Sequence, residues 1–153
     1  MLVHDIVVEL DVVFGPFALS TCNDLFGANS HFAKYWTLKD DARFSDWDAL
    51  NIFCNPPFSA IFQILSRFLF CKTRAPVGTA AVFVLPVWRS YKFWELVCAM
   101  PRTFQIVRRF EIGEEVFTAP GDGLSRVSAG PLPWPVVVAW VAPTALVEVV
   151  PDI

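Results

Sequence analysis

Hydrophobic positions along the chain follow two spacings, and glycine or proline marks most of the changes between them. From Asp5 to Phe14 they recur at three- and four-residue steps, which predicts a short amphipathic helix ending at Gly15-Pro16. The β-branched residues of this stretch also allow a strand. Phe17–Thr21 predicts a first strand. Leu50–Cys54 and Thr79–Val87 are apolar on both faces, which is typical of buried strands in a parallel sheet.

Helical spacing returns after each buried strand. Ile61–Leu69 predicts a helix with Ser59 as its N-cap, closed by Lys72–Gly78, and Ser90–Met100 predicts another. Strands and helices therefore alternate through the first part of the chain. Alternation of this kind is typical of α/β domains.

Beyond Pro101 the pattern changes to short strands between loops rich in glycine and proline. Strands are predicted at Thr103–Val107, Phe110–Ile112 and Val136–Val141, with a hairpin turn at Gly121-Asp122-Gly123. The chain thus reads as an α/β part followed by a strand-rich C-terminal part. We expect one domain over residues 1–142 and an extended tail over residues 143–153, because 153 residues fit a single domain.

Composition indicates in which cellular compartment the protein occurs. Apolar residues make up 55% of the chain, but prolines interrupt every run long enough to approach a membrane helix. Acidic residues and no basic region occupy the N-terminus, unlike a secretory signal. We therefore expect a soluble, intracellular protein of the cytoplasm or nucleus with no membrane partner. Composition gives no oligomeric state.

Net charge and the spacing of the cysteines indicate whether the protein binds nucleic acid or metal ions. The net charge of −3 argues against a strong autonomous grip on nucleic acid, since phosphate neutralisation dominates such affinity. Four arginines, at positions 89, 102, 108 and 109, could still contact phosphates, and the last three could instead guard an exposed edge strand. The four cysteines are dispersed without a CxxC pair, so we expect buried thiols and no metal site.

The apolar run Asn51–Cys54 stops at Asn55-Pro56-Pro57-Phe58, and this turn is the strongest candidate site. Ligands of open parallel sheets bind at the carboxyl ends of strands. The Asn55 amide and the Pro56 carbonyl offer two acceptors for the hydrogens of one planar amino group, and Phe58 offers a ring on which a base could stack. Proline pairs also punctuate loops for conformational reasons alone, so a structural role stays open.

With this turn at its centre, the sequence resembles the short phage-type (Dam-like) DNA N6-adenine methyltransferases, whose relatives occur in some tyrosine-recombinase retroelements. The matching segments occur in the family's order and extend over most of the chain. They are "FGPFAL", "NSHFAKYWT", "DWDALNIFCNPPFS", "AAVFVLPVWRSYKFWELV" and "FQIVRRFEIG" with a later "TAP".

The resemblance implies a three-layer, Rossmann-like sandwich that binds S-adenosylmethionine and methylates adenine N6 in DNA, after flipping the base out of the duplex. It implies that Asn55, Pro56, Pro57 and Phe58 hold the adenine and that Asn29 lies near the methyl donor. The family's usual acidic residue in the first strand is Ser20 here, with Asp24 four residues later as a substitute. The family's N-terminal Thr-Pro is absent, its place falling at Leu2-Val3.

Two other functions stay open, the first of them because these differences concern the donor pocket. One is a catalytically inactive, retroelement-derived module that keeps the fold for binding or positioning. The other is a methyltransferase acting on an RNA base or a protein glutamine, since the same turn can hold those amino groups.

Overall fold

The computed structural model describes residues 2–23, 35–37, 41–121 and 126–152. Within these ranges lie three α-helices: α1 (His4–Phe14), α2 (Ile61–Arg74) and α3 (Lys92–Ala99). The strands are β1 (Leu19–Asn23), β2 (Tyr35–Thr37), β3 (Asn51–Cys54), β4 (Ala80–Pro86), β5 (Gln105–Phe110), β6 (Thr118–Pro120), β7 (Arg126–Ser128) and β8 (Val136–Val141). The predicted α/β class and strand-rich C-terminal part are confirmed.

Six of these strands form one mixed sheet in the order β2-β1-β3-β4-β8-β5. The strands β2, β1, β3 and β4 are parallel, whereas β8 runs antiparallel to both of its neighbours. The chain moves from β1 to β2 on one side and then crosses to β3 on the other. The boundary between β1 and β3 is therefore a topological switch point, where α/β sheets open a crevice for ligands.

Alternate residues of β4 enter two different buried clusters. Ala81, Phe83 and Leu85 pack in the cluster that contains the apolar faces of α2 and α3. Val82 and Val84 pack in the cluster that contains the apolar face of α1. Because successive side chains of a strand point to opposite faces, helices cover the sheet on both sides. All seven residues of β4 are buried, as its apolar run predicts.

The predicted helices are confirmed, but the start of α2 differs from the prediction. A 3-10 turn over Phe58–Ala60 precedes the helix, and the N-cap position belongs to Ala60, with no side-chain capping bond. The predicted N-cap role of Ser59 is therefore wrong. The Pro57 carbonyl already accepts the Ala60 N–H at 3.0 Å, so the turn that leaves the strand leads directly into the helix.

The C-terminal strands also differ from the prediction in one respect. The two predicted strands around Thr103–Val107 and Phe110–Ile112 are one strand, β5, at the edge of the sheet. The strand prediction for Val136–Val141 is confirmed. β6 and β7 pair as an antiparallel hairpin, while the predicted turn residues Asp122 and Gly123 lie outside the described residues.

Residues 143–152 contain no helix or strand but contact the body of the domain. The Pro143 carbonyl accepts the Gly78 N–H at 3.1 Å. The Glu148 carboxylate accepts the Thr103 N–H at 2.7 Å and the Thr103 hydroxyl at 2.8 Å. The domain boundary at residue 142 stays a prediction. Among the described residues, no helix combines the length and the apolar character required to cross a bilayer.

Candidate active site

A cavity of about 460 Å³ opens at the carboxyl ends of β1, β3 and β4. Ser20 and Thr21 of β1, the turn after β3 and Pro86 of β4 line it together. Its volume is within the range of about 300–1,000 Å³ that is usual for small-molecule sites. The cavity thus lies at the topological switch point of the sheet, between the neighbouring strands β1 and β3.

The turn Asn55-Pro56-Pro57-Phe58 forms one wall of this cavity. Pro56 is buried and Asn55 is half-buried at the end of β3. Within the described part of the chain, neither the Asn55 amide nor the Pro56 carbonyl has a hydrogen-bond partner. Both groups can therefore accept hydrogen bonds from a ligand, which is the arrangement that the sequence predicts for one planar amino group.

Phe58 belongs to a compact group of aromatic rings at the mouth of the cavity. Its centroid lies 4.8 Å from that of Trp88 and 5.7 Å from that of Trp134, with interplanar angles of 63° and 73°. Trp88 and Trp134 contact each other edge-on at 4.9 Å. Three strand ends supply these rings, since Phe58 follows β3, Trp88 follows β4 and Trp134 precedes β8. Packing of this kind fixes the orientation of the Phe58 ring.

The opposite wall comes from the segment between β7 and β8, which no sequence motif marks as part of a site. Residues 129–134 and Phe117 line the cavity there, and Trp134 joins the aromatic group. The only local signal is the stretch Pro131-Leu132-Pro133-Trp134-Pro135, which reads as a loop. Its contact with Phe58 is set by the pairing of β8 with β4, so local sequence patterns could not reveal it.

The donor side of the site is described only in part. Ser20 and Thr21 of β1 are buried and line the cavity, where they pair with Phe53 and Cys54 at the end of β3. Asp24 and Asn29, the other predicted cofactor contacts, lie outside the described residues. The structure therefore brings Ser20 together with Asn55, Pro56, Pro57 and Phe58 around one cavity.

No titratable side chain is among the described residues that line the cavity. Polar groups there are hydroxyls, the Asn55 amide and backbone groups, beside proline, aliphatic and aromatic surface. Such a wall has no cation that would repel a positively charged ligand and no side chain that could act as a strong base. Chemistry at this site would therefore depend on holding and orienting the reactants.

The predicted phosphate-binding arginines do not form one cluster. Arg89 is exposed directly after Trp88, at the carboxyl end of β4. Arg102 precedes β5 at the opposite end of the sheet, where it borders a separate groove. Arg108 and Arg109 lie on β5, and each is paired with an acidic residue: Arg108 with Glu9 at 2.7 Å and Arg109 with Glu111 at 2.7 Å.

One group of potential metal ligands occurs in the described residues, away from the cavity. Oxygen atoms of Asp46 and Asp48 and the Cys71 sulfur lie within 4.8 Å of one another. Arg74 pairs with both carboxylates, at 3.1 and 2.6 Å. Its hydrogen bond to Asp48 lowers the pKa of that carboxyl, whereas burial raises the pKa of the Cys71 thiol. The group is thus an ion-pair cluster around Arg74.

The prediction of buried thiols holds in part, and the side chain of Cys22 lies outside the described residues. Cys54 and Cys71 are buried free thiols, whereas Cys98 is exposed on α3. Cys98 lies on the outer side of its short helix, whose buried residues are Phe93, Leu96 and Val97. Periodicity places it there, so the expectation of a buried thiol at this position is wrong.

Comparison with known proteins identifies a family whose match includes the turn Asn55–Phe58. No curated protein matches the chain significantly. A model of one protein family, described as DNA N-6-adenine-methyltransferase (Dam), matches residues 3–108, which is more than half of the 153 residues. The match includes β1, the turn at Asn55–Phe58 and β4, while Trp134 lies beyond it. The chain therefore belongs to the DNA N-6-adenine-methyltransferase (Dam) family.

Proposed function

We propose that this protein transfers a methyl group from S-adenosylmethionine to N6 of adenine in DNA, with Asn55 to Phe58 as its acceptor site. The observation that carries the proposal is the unpaired Asn55 amide beside the Pro56 carbonyl on the wall of a cavity at the sheet's switch point. Membership of the Dam family supports the same reaction. We also infer that the sheet and its two helical faces form the Rossmann-like, three-layer sandwich of such methyltransferases.

The acceptor residues would act by alignment. The Asn55 carbonyl oxygen and the Pro56 carbonyl would each accept one hydrogen of the adenine amino group, while Phe58 stacks on the ring. Hydrogen bonds to both N–H groups, in a geometry that bends them from the plane of the ring, direct the nitrogen lone pair toward the donor. Since no base lines the described cavity, the proton released on methylation would pass to solvent.

The same cavity would also hold the methyl donor. When bound, S-adenosylmethionine supplies an electrophilic methyl group on a positively charged sulfur. The described lining contains no cation to oppose that charge, and Ser20 and Thr21 of β1 line the cavity beside the switch point. Asp24 and Asn29 would complete the donor pocket.

Two measurements test this proposal. Calorimetric titration with S-adenosylmethionine should show saturable binding, and labelled donor should give N6-methyladenine in DNA. Absence of S-adenosylmethionine binding at millimolar concentration would contradict the enzymatic function. It would favour a catalytically inactive module that keeps the fold for binding. Label appearing in RNA or on protein glutamine, but not in DNA, would show that RNA or protein is the methyl acceptor.

A further inference from the structure

Exposed aromatic rings continue from the cavity onto the segment between β4 and α3. Phe58 lines the cavity, and Trp88 contacts it with centroids 4.8 Å apart. Tyr91 in turn contacts Trp88, with centroids 5.0 Å apart. The three rings form an unbroken path from the acceptor site to the outer surface.

The two ends of this path are open to solvent. Phe58 is 55% exposed and Tyr91 is 54% exposed, whereas Trp88 is half-buried between them. Exposed aromatic surface that continues a ligand cavity is typical of sites where successive bases of a single strand stack. Each such ring can accept any base, because every base has a π face.

Positive charge accompanies the rings. The segment Trp88-Arg89-Ser90-Tyr91-Lys92 carries two cations and no acidic residue. Arg89 and Lys92 are exposed, and neither forms an ion pair with another described residue. Arg43, Arg74, Arg108 and Arg109, by contrast, are all paired with carboxylates. Arg89 and Lys92 therefore offer unpaired charge beside the aromatic path, where a phosphate backbone would follow stacked bases.

The backbone holds this segment in one conformation. The Trp88 N–H donates to Pro86 and the Tyr91 N–H donates to Trp88, both at 3.1 Å. The Tyr91 carbonyl accepts the N–H of Glu95 in the first turn of α3. Tyr91 is thus the N-terminal flanking residue of α3, and its ring is presented from a rigid turn.

We propose that the segment Trp88–Lys92 binds a base next to the target adenine, with Tyr91 as its stacking surface, so that the site takes its DNA as an unpaired strand. The inference rests on the proposed function for the identity of the target base. Bases inside a duplex have both faces covered by their neighbours, so these rings can serve only bases that have left the stack. The net charge of −3 is also better suited to stacking than to a grip on duplex phosphates.

The test is the binding of a fluorescent DNA strand of about nine nucleotides with one central adenine, without methyl donor, measured by anisotropy. The same strand annealed to its complement is the duplex arm. The single strand should bind at least ten-fold more tightly than the duplex. Tyr91→Ala should weaken single-strand binding roughly 5- to 150-fold, the range that stacking of one base provides. Tyr91→Phe, which keeps the ring, should stay within about two-fold of the wild type.

Phe70→Ala is the matched control. Phe70 is also 55% exposed and lies against the guanidinium groups of Arg67 and Arg74, but it belongs to α2, away from the cavity. Its loss should leave binding unchanged. Equal weakening by Phe70→Ala and Tyr91→Ala would overturn the proposal, as would duplex binding as tight as that of the single strand. Tighter binding of the matching RNA strand would overturn the assignment to DNA.

Failure of this inference can be told apart from failure of the proposed function. Loss of single-strand binding in Tyr91→Ala, without any methyl transfer by the wild type, would support the stacking surface and reject the enzyme. Methyl transfer to duplex adenine that Tyr91→Ala leaves unchanged would support the enzyme and reject the stacking surface.

Discussion

Two asparagines at the ends of one short apolar stretch have different partners. The Asn51 amide donates to the carbonyls of Phe14 and Pro16, at 2.9 and 3.2 Å, and so joins the end of α1 to the sheet. The Asn55 amide faces the cavity and has no partner among the described residues. The same side chain therefore supports the fold at one position and is available to a ligand at the other.

Replacing each asparagine by alanine should separate these roles. Asn55→Ala should lower kcat for DNA methylation about 10²- to 10³-fold, as expected for loss of one oriented polar contact in a transition state. Its melting temperature and its affinity for S-adenosylmethionine should stay unchanged. Asn51→Ala should instead lower the free energy of unfolding by about 1 kcal/mol and leave kcat intact. Thermal melts and initial rates check both, and similar losses of kcat in the two variants would contradict the assignment.

Trp134 should act on the reaction through Phe58. Trp134→Ala removes a ring that contacts both Phe58 and Trp88, so the Phe58 ring loses its fixed orientation. We expect KM for DNA to rise about ten-fold, equivalent to about 1.4 kcal/mol, with unchanged affinity for the methyl donor. Trp134→Phe should restore most of the loss. Trp140→Phe is the control, because Trp140 packs on Phe14 instead of lining the cavity.

At the scale of elements, one buried cation ties three segments together. Lys72, only 1% exposed, donates from its Nζ to the carbonyls of Pro76, Thr79 and Ala142, at 2.6, 2.7 and 2.7 Å. These bonds join the end of α2 to the start of β4 and the end of β8. The carbonyls favour the ammonium form, but burial outweighs them and lowers the pKa of Lys72 to about 8.

Lys72→Met should therefore destabilise the domain by about 3 kcal/mol, since it leaves three carbonyls without their donor. The pH dependence has a defined sign. Below pH 8 both the folded and the unfolded protein hold the proton, while between about pH 8 and 10.5 the unfolded chain holds more protons. The stability of the wild type relative to the variant should thus rise with pH across this window. Urea titrations at pH 7 and 9.5 measure it, and a fall would contradict the lowered pKa.

The sequence correctly predicted the strands whose residues are mostly buried. β4 is buried along its whole length, so an uninterrupted apolar run identified it. β5 lies at the edge and is largely exposed, and Arg108 and Arg109 in its middle made it look like two strands. Ser59 satisfied the N-cap preference, but the 3-10 turn that follows two prolines took precedence.

The candidate site was predictable on one side only. Asn55-Pro56-Pro57-Phe58 is a contiguous motif, so its chemistry could be inferred before the structure was known. Trp134 comes from a distant segment, and only the antiparallel pairing of β8 with β4 brings it to Phe58. Contacts that depend on the order of strands in a sheet leave no local periodic signal.

For the whole molecule, the distribution of charge decides how it could hold DNA. The protein has 15 acidic and 12 basic residues, and four of its arginines, Arg43, Arg74, Arg108 and Arg109, are already paired with carboxylates. Arg89 and Lys92 are the free cations beside the aromatic path in the described structure. Few phosphates can therefore be neutralised beside the aromatic path, and we expect stacking to supply much of the affinity there.

The salt dependence of single-strand binding measures this number directly. With about two phosphates neutralised, log K against log salt concentration should have a slope of about −1.4, since each contact contributes about −0.7 for single strands. Arg89→Gln should reduce the slope to about −0.7. Arg108→Gln should leave it unchanged, because Arg108 is paired with Glu9. A slope beyond about −4, or an equal reduction in Arg108→Gln, would instead mean that a broad basic surface grips the backbone, as duplex-binding proteins do.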